Sequence, residues 1–133
     1  MKRTLLLIAV LAMLTLTAAE CSFSTANIAQ AYMAEDPDGN TPTTVYQGDS
    51  IFYAIVDLAN APDETVVKAS WYAVNAEGID PNFFIDEAVI TTGDGRLTFN
   101  LQNQAGMLWP AGSYRVELYL NDKLDRSLEF TVQ

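Results

Sequence analysis

Apolar and polar positions alternate along most of the chain beyond residue 44. In Ser50 to Leu58, Phe52, Ala54, Val56 and Leu58 share one face, while Ile51, Tyr53, Ile55 and Asp57 share the other. In Thr65 to Val74, Val67, Ala69, Trp71 and Ala73 oppose Val66, Lys68, Ser70 and Tyr72. The lysine and serine mark the outer face of that segment, so Trp71 points inward. A period of two, carried by β-branched and aromatic residues, is the signature of a half-buried strand. Ile85 to Thr92 and Arg96 to Leu101 flank Gly93-Asp94-Gly95, which predicts a hairpin with Leu97, Phe99 and Leu101 on its inner face. Ser113 to Leu120 places Tyr114, Val116, Leu118 and Leu120 inward. After a turn at Asn121-Asp122, Leu124 to Val132 returns with Leu128, Phe130 and Val132 buried. Ile28 to Met33 is a further strand, with Ala29, Ala31 and Met33 expected inward, and Val45 to Gln47 a short one. Loops are expected at Glu35 to Thr44, Ala59 to Glu64, Asn75 to Asn82 and Asn103 to Ala111, where proline, glycine and Asp-Gly steps interrupt the pattern.

This makes about seven strands at even spacing, with no amphipathic helix among them. Strands apolar on one face bury it by packing two antiparallel sheets together, so the expected fold is an all-β sandwich.

The first twenty residues differ. Lys2 and Arg3 precede a run from Leu5 to Ala19 that is apolar apart from threonines, with no charge before Glu20. A charged start, a short apolar stretch and a small-residue exit form the pattern of a secretory signal peptide. The run is shorter than the roughly 20 residues of a membrane-spanning helix. The expected organisation is a leader helix over 1–20, a tether over 21–27 and one domain over 28–133.

The full chain of 133 residues carries a net charge of −10. Loss of Lys2, Arg3 and Glu20 with the leader leaves 113 residues, five bases and sixteen acids, a net of −11. Such a surface repels nucleic-acid phosphates and favours basic partners or metal cations. The acids are dispersed, as on a solvated surface. There is no histidine, which removes the commonest general base and every Ser-His-Asp or Cys-His arrangement. Asp63-Glu64 and Asp86-Glu87 are adjacent carboxylates. Neighbours on a strand, as Asp86-Glu87, point to opposite faces, and a loop pair such as Asp63-Glu64 is solvated, so these pairs do not read as acid/base machinery. No enzymatic role is expected.

Two patterns are candidate binding sites. Asp36-Pro37-Asp38-Gly39-Asn40 sets the oxygen-bearing side chains of Asp36, Asp38 and Asn40 at alternate positions with a glycine for the turn, partly like a calcium loop. The glutamate that closes such loops is absent, and Gln47 stands in its place. The bland reading is an Asp/Asn/Gly turn. Tyr53, Tyr72 and Tyr119 fall on outward faces and Trp109 in a loop; exposed aromatics can stack sugars or anchor a protein. The bland reading is that Trp109 caps the core and the tyrosines are scattered.

The lone cysteine, Cys21, lies at the leader's exit in Leu16-Thr17-Ala18-Ala19-Glu20-Cys21-Ser22. This resembles the lipobox of bacterial lipoproteins, whose leader is cut just before a cysteine that then carries lipid. Glu20 stands where that pattern has a small residue. The resemblance implies membrane attachment through Cys21. Ser22 is not the aspartate that retains some lipoproteins, which implies the cell surface. Cleavage after Ala19, giving a secreted protein, and a retained helix stay open. The stretch Trp109-Pro110-Ala111-Gly112-Ser113-Tyr114, with the closing Phe130-Thr131-Val132, resembles the last hairpin of bacterial immunoglobulin-like and fibronectin-type-III-like domains, and Trp71 resembles their core tryptophan. The cysteine pair of antibody domains is absent. The whole chain is similar to small bacterial surface lipoproteins. Three roles are weighed: a lipid-anchored accessory module binding a protein or glycan, a carbohydrate-binding module with calcium, and an enzyme of unknown type.

Overall fold

The computed structural model describes residues 24–133. It contains eight strands: β1 (Asn27–Ala34), β2 (Val45–Tyr46), β3 (Phe52–Ala59), β4 (Thr65–Ala76), β5 (Phe83–Thr92), β6 (Gly95–Leu101), β7 (Gly112–Leu120) and β8 (Lys123–Val132). They form a three-stranded sheet ordered β1-β3-β6 and a five-stranded sheet ordered β2-β8-β7-β4-β5. All pairings are antiparallel except β2 with β8. The expected leader helix and Cys21 lie outside the described residues.

The inward sets of β3, β4, β6 and β7 are those the alternation predicts. Phe52, Ala54, Val56 and Leu58 from one sheet meet Val67, Ala69, Trp71, Ala73, Tyr114, Val116 and Leu118 from the other in one buried cluster. Full burial of a side chain the size of Phe52 or Leu118 contributes about 1.5–3 kcal/mol. β1 departs from the expected phase. A bulge between Ile28 and Gln30 shifts its register against β3, so Ile28 and Met33 are both buried while Ala29 is exposed.

The expected hairpin at Gly93-Asp94-Gly95 is not one. β5 pairs with β4, and β6 pairs with β3 in the opposite sheet. The chain therefore crosses between sheets there. The crossing is tied down by Asp94, whose carboxylate accepts the Ala61 N–H. A two-residue hairpin joins β7 to β8 at Asn121-Asp122, both at positive φ (48° and 67°), as such a loop between right-twisted strands requires, and β4 and β5 are joined by a longer one.

The Pro-x-Gly-x-Tyr segment has a physical reading. The buried Tyr114 hydroxyl donates to the Pro110 carbonyl at 2.6 Å, a tyrosine corner of the kind found in immunoglobulin folds. Gly112 sits at φ +152°, where a Cβ would overlap the Asn75 and Ala76 backbone of β4. Any other residue there would push β7 off β4.

The sandwich is closed on one side and open on the other. On the closed side Tyr46 of β2 packs against Phe52 and Phe130, and its hydroxyl donates to the Ala34 carbonyl at 2.8 Å. There Arg126 of β8 donates to the Ile28 carbonyl of β1 at 2.7 Å. On the open side three strands face five, and β5 overhangs. None of its ten residues is fully buried.

Candidate binding surfaces

The Asp36–Asn40 segment folds back across the outward face of the three-stranded sheet. The Asp36 carboxylate accepts the Asn40 N–H at 3.0 Å and the Thr41 N–H at 2.8 Å. The Asn40 N–H is the main reason its carboxyl is held below the usual range. The next three carbonyls accept from side chains of the sheet beneath: Pro37 from Thr98 Oγ1 (2.8 Å), Asp38 from Arg96 Nη1 (3.0 Å) and Gly39 from Tyr32 Oη (2.8 Å). Arg96 also clamps Asp57 through Nε (2.7 Å) and Nη2 (3.0 Å), which lowers the Asp57 carboxyl. The segment is a roof over Ile55, which is fully buried although it points away from the core. Of the three candidate ligands, Asp36 has both oxygens committed to the loop's own backbone. Among the described residues no three of Asp, Glu, Cys and His gather as a metal cluster.

The four candidate aromatics do not form one row. Trp109 stacks on Phe52 at 5.0 Å, meets Tyr114 edge-on at 6.4 Å, and its indole N–H donates to the Ser50 carbonyl at 3.2 Å. It caps one end of the core. Tyr53 stands on the outward face of the three-stranded sheet. Tyr72 and Tyr119 share the outward face of the five-stranded sheet, opposite Arg115 and Lys68 respectively in the β4–β7 register. That offset of four residues is about 13 Å along the strands. Each ring carries a cation: Arg115 lies 4.4 Å from the Tyr72 centroid and Lys68 4.5 Å from that of Tyr119. Phe84 meets Tyr72 edge-on at 5.6 Å. Partial burial, and next the charge of Glu117, push the Tyr72 hydroxyl up.

Phe84 and Val89, 47% and 56% exposed, join this face, and neither was foreseen. The segment up to Asn82 reads as a loop, which placed the start of β5 two residues late. The alternation then fails at Ile85, where a bulge sets the β4–β5 register. Asp86 and Glu87 do lie on opposite faces, level with Trp71 and Ser70 respectively. An open groove of about 350 Å³ lies over Thr44, Val74, Ser113, Glu129 and Thr131. Among the described residues Glu129 is its one carboxylate.

No family model matches the sequence, and no curated protein does. Solved structures share the shape. An immunoglobulin-like protein from Pseudomonas aeruginosa matches over 81% of this chain and 96% of its own, with TM-score 0.52 and 13% identity. The fold is immunoglobulin-like. An alkylpurine DNA glycosylase from Pseudomonas fluorescens, bound to DNA containing an abasic-site analogue, matches over 81% of this chain with TM-score 0.51 and 16% identity. A β-glucosidase from Listeria innocua matches over 82% with TM-score 0.50 and 14% identity. The chain spans 30% of the glycosylase and 16% of the glucosidase. At such identities the likeness is one of fold, and the fold serves proteins of unrelated chemistry.

Proposed function

We propose that the chain is an exported, lipid-anchored and non-catalytic domain that works at the cell surface as a binding or structural accessory module. The observation that carries this is the position of its one cysteine, Cys21, at the exit of a leader and just ahead of an immunoglobulin-like sandwich. The reading divides the chain into a signal peptide over 1–20, a tether over 21–27 and the sandwich over 28–133. Thr25 Oγ1 donates to the Asn60 carbonyl at 2.9 Å, so the tether enters at the end holding the 60–64, 93–94 and 121–122 turns. The 102–111 loop, with Met107 and Leu108 59% and 68% exposed, lies at the opposite end. A domain held through Cys21 would present that loop away from the membrane. The absence of histidine from the chain supports a non-enzymatic role.

Intact mass of the protein from its native membrane fraction tests the anchor. A mass of residues 21–133 plus a diacylglyceryl group is expected. A lipid-free mass beginning at Glu20 would make the domain a secreted one and remove the membrane from its function.

A carbohydrate-binding role, assisted by calcium, is the alternative. Tyr72, Phe84 and Tyr119 on one outward face favour it. Retention on insoluble polysaccharide that is lost in Tyr72→Ala and depends on calcium would establish it; retention indifferent to Tyr72 would end it.

A further inference from the structure

The open side of the sandwich lacks a strand. β6 ends the three-stranded sheet, and β5 extends the other sheet one strand beyond it. Phe83, Asp86, Ala88 and Ile90 of β5 are level with Ala73, Trp71, Ala69 and Val67 of β4, so they face inward. Among the described residues nothing covers them fully: Phe83 is 51% exposed, Asp86 and Ala88 are exposed, and Ile90 is half-buried. Among the described residues, no backbone group of β6 bonds to backbone outside its ladder with β3. The edge of β5 is less receptive. It bulges at Ile85, and the Glu87 N–H is taken by the Asp86 carboxylate at 2.8 Å. A strand edge with free N–H and C=O groups is a template for another strand.

We propose that an extended, basic segment of a partner protein docks along the edge of β6, beneath the β5 overhang. It would become the fourth strand of the smaller sheet, its inward side chains covering Phe83, Ala88 and Ile90. Its main chain would supply affinity and its alternate side chains specificity. Charge decides the partner's chemistry. Asp86 is the one charge of β5 that faces the cleft, β5 carries no base, Asp80 and Asp94 flank it, and Arg96 of β6 is already paired with Asp57. A second copy of this chain, at a net −10, would bring its own negative charge to the cleft. β6 has seven residues, which sets the docked length. The proposal rests on the reading of the chain as a binding module and is independent of the lipid anchor.

The test uses the full chain in detergent and a seven-residue peptide alternating valine with threonine, with one inward valine replaced by lysine to meet Asp86, beside a counterpart with glutamate for lysine. Amide hydrogen exchange is followed residue by residue. The basic peptide is expected to slow exchange in β6 at least tenfold, and the glutamate peptide to leave it unchanged. Ala88→Arg, which fills the overhang, should weaken binding at least tenfold. Val89→Arg, on the opposite face of the same strand, should leave it within twofold. No slowing, slowing confined to β5 or the outward face, or equal binding of both peptides would overturn the proposal. So would β6 protection that grows with protein concentration alone, since the occupant would then be a second copy. Failure here leaves the intact-mass result standing, so the two readings fall separately.

Discussion

On β3, Ile55 points away from the sandwich core and is fully buried; on β4, Tyr72 points away from the same core and stays partly exposed. The two residues occupy equivalent situations on the two sheets. What separates them is the Asp36–Asn40 roof, which covers Ile55 on the smaller sheet; among the described residues no such loop covers Tyr72 on the larger one. The roof is held by polar contacts: three carbonyls received by Thr98, Arg96 and Tyr32, and one carboxylate folded onto its own loop. The bare face has cations laid over its tyrosines. The outward position of Ile55 is thus structural and that of Tyr72 available.

The contrast is sharpest in truncation. Ile55→Ala should cost about 2–4 kcal/mol, as for a core residue, because the roof leaves little freedom to collapse into the cavity. Val89→Ala, on the bare face, should stay within about 0.5 kcal/mol. Urea unfolding of both variants checks this. A cost below about 1 kcal/mol for Ile55→Ala would mean that the roof does not pack.

Two glycines isolate the roof itself. Gly39 and Gly78 both sit at φ +73°. A Cβ on Gly78 would meet nothing within 4 Å, whereas one on Gly39 would overlap the Tyr32 hydroxyl and press on Ile55. Gly78→Ala should cost about 1 kcal/mol from backbone strain alone. Gly39→Ala should cost about 1–2 kcal/mol more, from crowding. Equal costs in thermal unfolding would show that the roof yields freely.

The sheets were legible in the sequence because each central strand is one-faced. Phe52 to Leu58, Val67 to Ala73 and Tyr114 to Leu118 repeat apolar residues at every second position without a break. What was not legible depends on which strands become neighbours. Gly93-Asp94-Gly95 has ideal hairpin chemistry, yet the chain changes sheets there, and no local signal distinguishes the two. Ile55 could not be assigned to a buried site because its cover comes from a loop 15 to 19 residues upstream. The alternating Asp36, Asp38 and Asn40 look like ligands in sequence. In three dimensions Asp36 is spent on Asn40 and Thr41, and the carbonyls between on the sheet below. The bulge at Ala29 shifts the phase of β1 by one residue, so Ile28 lies inward, and β5 starts at Phe83, two residues ahead of the alternating run, so Phe84 carries no strand signal of its own.

Acid separates the two faces in a different way. Asp36 and Asp57, both on the roofed side, have carboxyls held below their ordinary value of 3.8. Folded, they bind fewer protons than the unfolded chain does at the same pH. Their contribution is therefore complete above about pH 4 and lost as pH falls through the folded values. The melting temperature should fall below about pH 4, and fall less steeply in Asp36→Asn and Asp57→Asn, each already weaker at neutral pH. A wild-type slope retained in both variants would assign acid sensitivity to other carboxylates.

The smallest expected effect lies on the bare face. Arg115→Ala removes the cation over Tyr72 and the 2.9 Å hydrogen bond to Asn82 Oδ1; Lys68→Ala removes the cation over Tyr119. Exposed cation–aromatic contacts contribute about 0.5–1 kcal/mol, so each variant should remain folded and melt only slightly lower. That modesty is informative. The roofed face has a cation–aromatic contact of its own, Arg96 over Tyr32 at 5.9 Å, but there the guanidinium is also bound to Asp38 and Asp57 and holds the roof in place. Placed where their loss is cheap, Arg115 and Lys68 keep the two rings ordered and half-shielded while leaving them accessible. A loss above about 2 kcal/mol in either variant would reverse that argument and make the bare face a structural element like its counterpart.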